Sequence, residues 1–508
     1  MPQGILPFKY EAENSQTGMT ALGGLPAYLD LAHAAGLSRS VEKHLGARSG
    51  TQGWTDAQMV TALVMLNLAG GEHVDDLRIL ESDEGFCRVV RQVEHHHLPR
   101  RQRRQMERRF RKKRERTLPS PSAAFRYLAA YHDAGQENLR TPGKAFIPSS
   151  NEHLSAMPRV NSDLLSFLQA NRKCRIATLD MDATLQETKK ESALFSYKGY
   201  RAYQPLNTWW AEQEVIVHTE FRDGNVPAGY EQLRVLREAL ACLPEGVEKV
   251  YLRSDTAGYQ HKLLQYCAKG DNERFGRIGF TIGADVTAEF KKAVAEVADE
   301  DWRPLYKEVD GQRIDTGTEW AEVCFVPNGM GFGKNSPVYR YLAKRTPLRE
   351  QASLPGIEPG AKELPFQTLS LGAKRYKIFG IVTNLDWDGE TLINWHHKRC
   401  GKSEEAHAIM KNDLAGGTMP SGDFGENAAW WWMMILALNL NNIMKTLALG
   451  KEWKSRRLKA IRFRLVNLPG RVVEHARTLL VKLSDRHPSY ELLLEIRRKI
   501  LMLNPSPT

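Results

Sequence analysis

Apolar residues recur at intervals of three and four in the first part of the chain, the spacing of helices with one buried face. One such segment begins with Thr55 and Gln58, which stand in the positions of a capping box. A later one begins at Ser120, a good N-cap residue, followed by Pro121 at the first helical position. The pattern predicts that residues 1–150 are mainly helical.

The pattern changes near Cys174. "CRIATLDMDATL" predicts a buried strand that ends in acidic residues, and "YQPLNTWWAE" and "EVIVHTEFRDG" predict two further strands. An amphipathic helix follows, then "EKVYLRSD" as a fourth strand, another helix, and "GRIGFTIGAD" as a fifth strand. Three strands in sequence, then strands that alternate with helices, indicate an α/β fold with an RNase H-like sheet.

The later part of the chain divides this predicted core into two pieces, residues 170–285 and 376–450. Short strand-like pieces rich in Pro and Gly predict a strand-rich insertion over residues 286–375. We expect one long helix over roughly 390–412 and a Trp-rich helix over 426–449.

The longest apolar run, "AAWWWMMILAL", has eleven residues. A membrane span needs about 20, so we expect a buried core helix and no membrane partner.

Positive charge is concentrated in two segments. Residues 100–116 hold eleven Lys or Arg against two Glu, and residues 451–508, a predicted basic C-terminal tail, hold fourteen against five acids. The net charge of the whole chain is +11, so the remainder is net negative. This distribution favours a nucleic-acid partner, although a charged run can also be a solvated arm. Within the arm, the candidate phosphate contacts are Arg108, Arg109, Arg111 and Lys112.

Three acidic residues are candidates for a metal-dependent site. Asp182 lies near the end of the first strand, Asp255 ends the fourth, and Glu404 belongs to the late helix. Ligand sites of open sheets form at strand ends, and carboxylates suit Mg²⁺ or Mn²⁺. Two such ions about 3.5–4 Å apart can catalyse phosphoryl transfer. Asp180 remains an alternative to Asp182, and Glu405 to Glu404.

The segments "LDMDAT", "YLRSDTAGY", "RCGKSEEAHAIMKNDLAGG" and "SGDFGENAAWWW" resemble DDE transposases of bacterial insertion sequences. The resemblance is to the cut-and-paste branch, in the group numbered thirteen-eighty, a relative of the group with a Tyr-x2-Arg-x3-Glu-x6-Lys signature. It covers about residues 170–450, and more weakly the helical N-terminus. It implies an enzyme that binds terminal inverted repeats as a homodimer, cuts there and joins the 3′ ends to target DNA.

Carried onto this chain, the family's catalytic acids and metal ligands fall on Asp182, Asp255 and Glu404. The resemblance implies two Mg²⁺ ions, which Mn²⁺ can replace. Lys411 follows Glu404 at the signature spacing, which implies a contact with phosphate near the cut. Arg399 would contact the DNA backbone too, but four residues rather than three separate it from Glu404, and the signature tyrosine is missing.

Two other functions fit parts of the sequence. The Asp-x-Asp-x-Thr motif also resembles haloacid-dehalogenase-like phosphatases, in which Asp180 would be the nucleophile and Asp182 the general acid. That interpretation leaves the basic segments unexplained and lacks a Gly-Asp-x3-4-Asp motif. The other is a transposase-derived DNA-binding protein that does not cut.

No signal peptide opens the sequence, so we expect a cytoplasmic, nucleoid-associated bacterial protein.

Overall fold

The structure is a computed structural model. It describes residues 18–48, 53–95, 99, 101, 116–141, 143–327, 337–348, 366–372, 374–399, 402–475 and 478–505. The strands are β1 (Met19–Thr20), β2 (Ile176–Ala183), β3 (Gln186–Glu187), β4 (Ala202–Tyr203), β5 (Leu206–Trp210), β6 (Val215–Glu220), β7 (Lys249–Ser254), β8 (Gly279–Ala284), β9 (Arg303–Val309), β10 (Gln312–Val323), β11 (Arg340–Pro347), β12 (Thr368–Leu371), β13 (Lys374–Thr383), β14 (Gly470–His475) and β15 (Thr478–Leu483).

The α-helices of the described residues are α1 (Pro26–Ala34), α2 (Leu37–His44), α3 (Asp56–Ala69), α4 (Leu77–Ser82), α5 (Glu84–His95), α6 (Pro121–Ala129), α7 (Ala134–Glu137), α8 (Glu152–Asn171), α9 (Gln232–Ala241), α10 (His261–Lys269), α11 (Ala288–Ala295), α12 (Gly389–His397), α13 (Lys402–Asn412), α14 (Phe424–Ile443), α15 (Leu458–Ile461) and α16 (Tyr490–Leu501). A π-helical turn, Met444–Leu449, continues α14.

The central sheet has the strand order that the sequence predicts. Its first five strands lie in the order β6-β5-β2-β7-β8. β5 pairs antiparallel with both β2 and β6, whereas β7 is parallel to β2 and β8 is parallel to β7. Helices α9 and α10 connect the later strands. The mixed α/β class and the RNase H-like strand order are therefore confirmed.

The strands that follow β8 continue the same sheet. β13 pairs antiparallel with β8, and β11, β10 and β9 then follow in order, with β12 pairing along the far end of β13. A separate small core between this part of the sheet and α12 includes Trp320, Leu342 and Ile393. The strands on both sides of β8 thus belong to one continuous sheet.

Helix α14 lies at the centre of the molecule and all of its residues are buried. Trp430 and Trp431 have no exposed surface, which confirms the prediction of a core helix. Asn439 binds the peptide of Ile216 at both its N–H and its carbonyl, each at 2.8 Å, and so joins α14 to β6. None of the helices among the described residues is long and apolar enough to cross a membrane.

The helix starts predicted near the N-terminus are confirmed. Thr55 accepts from the backbone N–H of Gln58, and the Gln58 side chain accepts from the backbone N–H of Thr55. Ser120 caps α6 through the N–H of Ala123, with Pro121 at its first position. Each cap satisfies backbone donors that a helix start leaves unpaired.

The prediction of one helix over residues 390–412 is wrong. α12 ends at His397 and α13 begins at Lys402, so the segment contains two helices. The intervening sequence includes Gly401, a residue that weakens a helix. As a result, Arg399 lies between the helices and does not share a continuous face with Glu404.

The C-terminal segment contains a β-hairpin that the sequence did not predict. β14 and β15 pair antiparallel, and β1 adds to the edge of β14. Just before the hairpin, the buried Arg462 donates to the carbonyls of Leu68 and Asn67 at the end of α3. These contacts attach the C-terminal segment to the N-terminal helices.

Candidate active site

Two aspartates lie side by side at one edge of the sheet. The parallel pairing of β2 and β7 ends with Met181 opposite Ser254, and Asp182 and Asp255 are the next residues on the two strands. Both side chains are partly buried. Burial raises the pKa of Asp255, and the negative charge of Asp182 raises it further. The two carboxylates are therefore close enough to repel each other and can gain from a shared cation.

Asp180, on the same face of β2, has a different role. It is 1% exposed, and its two carboxylate oxygens accept from Nε and Nη2 of Arg253 at 2.6 and 2.7 Å. Arg253 also donates to the carbonyl of Trp395 on α12, at 2.7 Å. Because both oxygens of Asp180 are engaged in a buried ion pair, the arrangement favours Asp182 as the metal ligand. It also disfavours Asp180 as a phosphatase nucleophile.

A guanidinium lies next to the aspartate pair. Nη1 of Arg399 is 3.5 Å from Oδ2 of Asp182, and the Arg399 side chain is 11% exposed. Its positive charge lowers the pKa of Asp255, against the effects of burial and of Asp182. In this structure Arg399 is thus a cation that partly offsets the repulsion between the two aspartates.

Two histidines at the end of α12, His396 and His397, lie close to Arg399 and are neutral. Burial lowers the pKa of His396 well below its usual value, and its Nδ1 lies 3.0 Å from Oγ1 of Thr281 on β8. The pKa of His397 falls to about 4 because of burial and the nearby positive charge of Lys344. Its Nε2 accepts a hydrogen bond from Nζ of Lys344 at 2.9 Å. Neither ring adds charge to the site near pH 7.

Helix α13 docks against the same sheet edge through His407 and Lys411. His407 Nε2 lies 3.4 Å from Nδ2 of Asn207, the residue directly opposite Asp182 in the pairing of β2 with β5. The pKa of His407 falls to about 4, mainly through burial, so the ring accepts this bond. Lys411 donates to the carbonyl of Leu185, three residues beyond Asp182. The helix is therefore fixed beside the aspartates.

Glu404 and Glu405 begin this helix. Glu404 is exposed and Glu405 is half-buried. The negative charge of Glu404 acts on His407, one turn later on the same helix, and raises its pKa against the larger effect of burial. Among the residues that the structure describes, no three His, Cys, Asp or Glu side chains are grouped so as to hold one metal ion. The structure thus pairs Asp182 with Asp255 and leaves Glu404 on the adjoining helix.

The residues present suit a hard divalent cation. Two carboxylates share the edge and repel each other, and carboxylate oxygen is the ligand that Mg²⁺ prefers. Arg399 and Lys411 add positive charge beside them. The other predicted DNA contacts, Arg108, Arg109, Arg111 and Lys112, lie outside the described residues.

The sequence analysis did not predict a chain of buried hydrogen bonds that runs from the core helix to α13. Trp431 Nε1 donates to Oγ1 of Thr219 at 2.9 Å, and Thr219 donates to Oδ1 of Asn207 at 2.7 Å. Asn207 then contacts His407, so the chain joins the core helix to α13. The available signal was a polar residue inside an apolar strand, which Asn207 provides in "LNTWW". Arg253 in "VYLRS" is a second example.

The strand order and the paired aspartates define an α/β protein of RNase H-like topology with an acidic site at its strand ends. Residues 9–324 and 367–505 match the family described as "Transposase DDE domain group 1". The match spans most of the chain, and the protein belongs to this family of DDE transposases. Residues 325–366, within the predicted insertion, are not matched.

No curated protein matches the sequence. A solved structure, described as "Cryo-EM structure of piggyBac transposase synaptic complex with hairpin DNA", aligns over 97% of this chain and 85% of its own. Its sequence identity to this chain is 12% and its TM-score is 0.44.

Proposed function

We propose that this protein is a cut-and-paste transposase of a bacterial insertion sequence. It binds the terminal inverted repeats, cleaves at the element ends and joins the 3′ ends to target DNA. The observation that carries the proposal is the electrostatically coupled pair Asp182 and Asp255, with a lysine-bearing helix docked beside it. Family membership supports a metal-dependent reaction on DNA.

Asp182, Asp255 and Glu404 would hold two Mg²⁺ ions, or Mn²⁺ in their place. When bound, such a pair activates a water or a 3′-hydroxyl for in-line attack and stabilises the leaving oxygen. Lys411 contacts a phosphate near the cut bond. Arg399, which pairs with Asp182 in the protein without DNA, contacts the DNA backbone in the complex.

The remaining parts of the chain serve binding in this proposal. Residues 1–150, with the basic arm at 100–116, and the basic segment 451–508 contact DNA. Residues 170–285 and 376–450 form the catalytic core that residues 286–375 interrupt. The protein acts as a homodimer on two paired ends, in the bacterial cytoplasm at the nucleoid.

Cleavage of the element's own ends tests this proposal and the choice between adjacent glutamates. Labelled duplexes with the inverted repeats that flank the gene are incubated with Mg²⁺ and the full chain. We expect cuts at the repeat ends and transfer of the 3′ ends to a plasmid. Glu404→Gln should remove cleavage because it removes a ligand charge, whereas Glu405→Gln, its matched control, should cleave normally.

Each other outcome has a definite meaning. If the wild-type protein binds the repeats but never cuts them with Mg²⁺ or Mn²⁺, it is a transposase-derived DNA-binding protein. If Glu405→Gln alone removes cleavage, Glu405 replaces Glu404 as the third ligand. If the wild-type protein neither binds nor cuts the repeats, the proposed function is rejected.

A further inference from the structure

Strands β11, β12 and β13 carry positive charge without any negative charge. Together they hold six Lys or Arg and no Asp or Glu. The net charge along the sequence does not indicate this local excess of positive charge, because the chain outside the two basic segments is net negative. Because side chains alternate between the faces of a sheet, the pairing register decides which of these charges lie together.

Two of the six cations, Arg345 and Arg340, form ion pairs with glutamates. Arg345 is buried on one face, where it pairs with Glu319 at 2.7 Å and lies over the rings of Trp302 and Tyr376. Arg340 pairs with Glu322 and donates to the carbonyls of Leu385 and Trp387, just after β13. These contacts explain both arginines as parts of the fold.

Three others lie on one face of the sheet. Lys344 is opposite Phe379 in the register, Lys377 is opposite both Thr346 and Thr368, and Arg375 is opposite Ser370. Lys377 and Arg375 are exposed and Lys344 is partly exposed. From Phe379 to Arg375 the strand advances by about 13 Å. We call Lys344, Lys377 and Arg375 the basic strip.

The basic strip is linked to the candidate active site through the end of α12. Lys344 donates to His397 at the end of α12, and Arg399, two residues later, lies 3.5 Å from Asp182. Aromatic rings support the lysines, because Nζ of Lys344 lies 5.5 Å from the ring centroid of Phe379. Nζ of Lys377 lies 4.7 Å from that of Phe366.

We propose that the basic strip binds the phosphate backbone of duplex DNA next to the cleaved bond. This inference rests on the proposed function, because DNA at the catalytic aspartates would continue onto the neighbouring strands. The hydroxyls of Thr346, Thr368 and Ser370 share the face, and such groups commonly join Lys and Arg in phosphate contacts. The strip positions DNA and does not read its sequence, since it offers cations and hydroxyls to the backbone.

The test is the salt dependence of DNA binding by the full chain, measured by fluorescence anisotropy without divalent ions so that no cleavage occurs. Lys377→Ala should weaken binding and reduce the slope of log K against log salt by about 0.9, the value for one lost phosphate contact. Arg375→Ala combined with Lys377→Ala should reduce it by about twice as much. Both residues are exposed, so the variants should keep the wild-type melting temperature.

Lys374→Ala is the matched control. Lys374 is exposed on the same strand but belongs to the opposite face, so its removal subtracts the same charge without touching the basic strip. It should leave the slope unchanged. The difference between Lys377→Ala and the wild type should also vanish on duplexes shortened on the side of the cut that the strip covers.

The results separate this inference from the proposed function. If Lys377→Ala and Lys374→Ala change the slope equally, or neither changes it, the strip is not a DNA contact, even where the wild type cleaves normally. If Lys377→Ala alone lowers the slope but the wild type never cleaves, the strip is a DNA surface and the transposase proposal fails.

Discussion

Asp255→Asn is expected to reduce cleavage of terminal-repeat DNA by about a thousandfold or more, while DNA binding stays within error of the wild type. Metal-held charge contributes several kcal/mol to the transition state, and about 1.4 kcal/mol corresponds to a factor of ten. The fold should survive, because Oδ1 of Asp255 accepts from the N–H of Ala257 at 3.0 Å and an asparagine oxygen can accept the same bond. Single-turnover cleavage and anisotropy measure the two effects separately.

Asp285→Asn is the matched control for this prediction. Asp285 follows the neighbouring strand β8 as Asp255 follows β7, but its side chain is exposed. The same chemical change there should leave cleavage intact. If Asp255→Asn cleaves at the wild-type rate, as Asp285→Asn is expected to do, Asp255 is excluded from the site.

Arg253→Ala is expected to lower the free energy of unfolding by about 3–5 kcal/mol. The substitution leaves Asp180 buried without its partner and removes the donor to the carbonyl of Trp395. A buried carboxylate without compensation is costly because the protein interior solvates charge poorly. Equilibrium urea unfolding, followed by tryptophan fluorescence, measures the loss.

The double variant Arg253→Met with Asp180→Leu separates the cost of an orphaned charge from the cost of lost packing. Replacing both members of a buried ion pair by apolar residues is often nearly neutral, so the double variant should be more stable than Arg253→Ala. If Arg253→Ala costs less than about 1 kcal/mol, the pair does not hold β2, β7 and α12 together.

The sequence predicts best those features that depend on local patterns. The strands of the RNase H-like core and the caps at Thr55 and Ser120 were confirmed, because apolar spacing and capping residues are read within a few positions. The boundary near Gly401 was missed because helical periodicity continues on both sides of it. The hairpin β14–β15 was missed because its strands have mixed polarity and its neighbour β1 is distant in sequence.

The sequence predicted the candidate site only in part, because some of its contacts join residues that are distant along the chain. Strand ends predicted that Asp182 and Asp255 are neighbours, and the parallel register of β2 and β7 places them side by side. The choice between Asp180 and Asp182 depended on Arg253, whose partner lies on another strand. The contact of His407 with Asn207 joins residues 200 positions apart and has no local signal. Such contacts follow from packing, which a single sequence does not display.

The central claim is that Asp182, Asp255 and Glu404 hold the same pair of divalent ions in the DNA complex. Fe²⁺ can take the place of Mg²⁺ at oxygen ligands, and with ascorbate and peroxide it produces hydroxyl radicals that cut the polypeptide close to the bound ion. Mapping the fragments of the DNA-bound protein is therefore the most direct measurement. We expect cuts near residues 182, 255 and 404, all suppressed together by excess Mg²⁺. Cuts near only one of these positions, or cuts elsewhere that Mg²⁺ suppresses, would contradict the shared site.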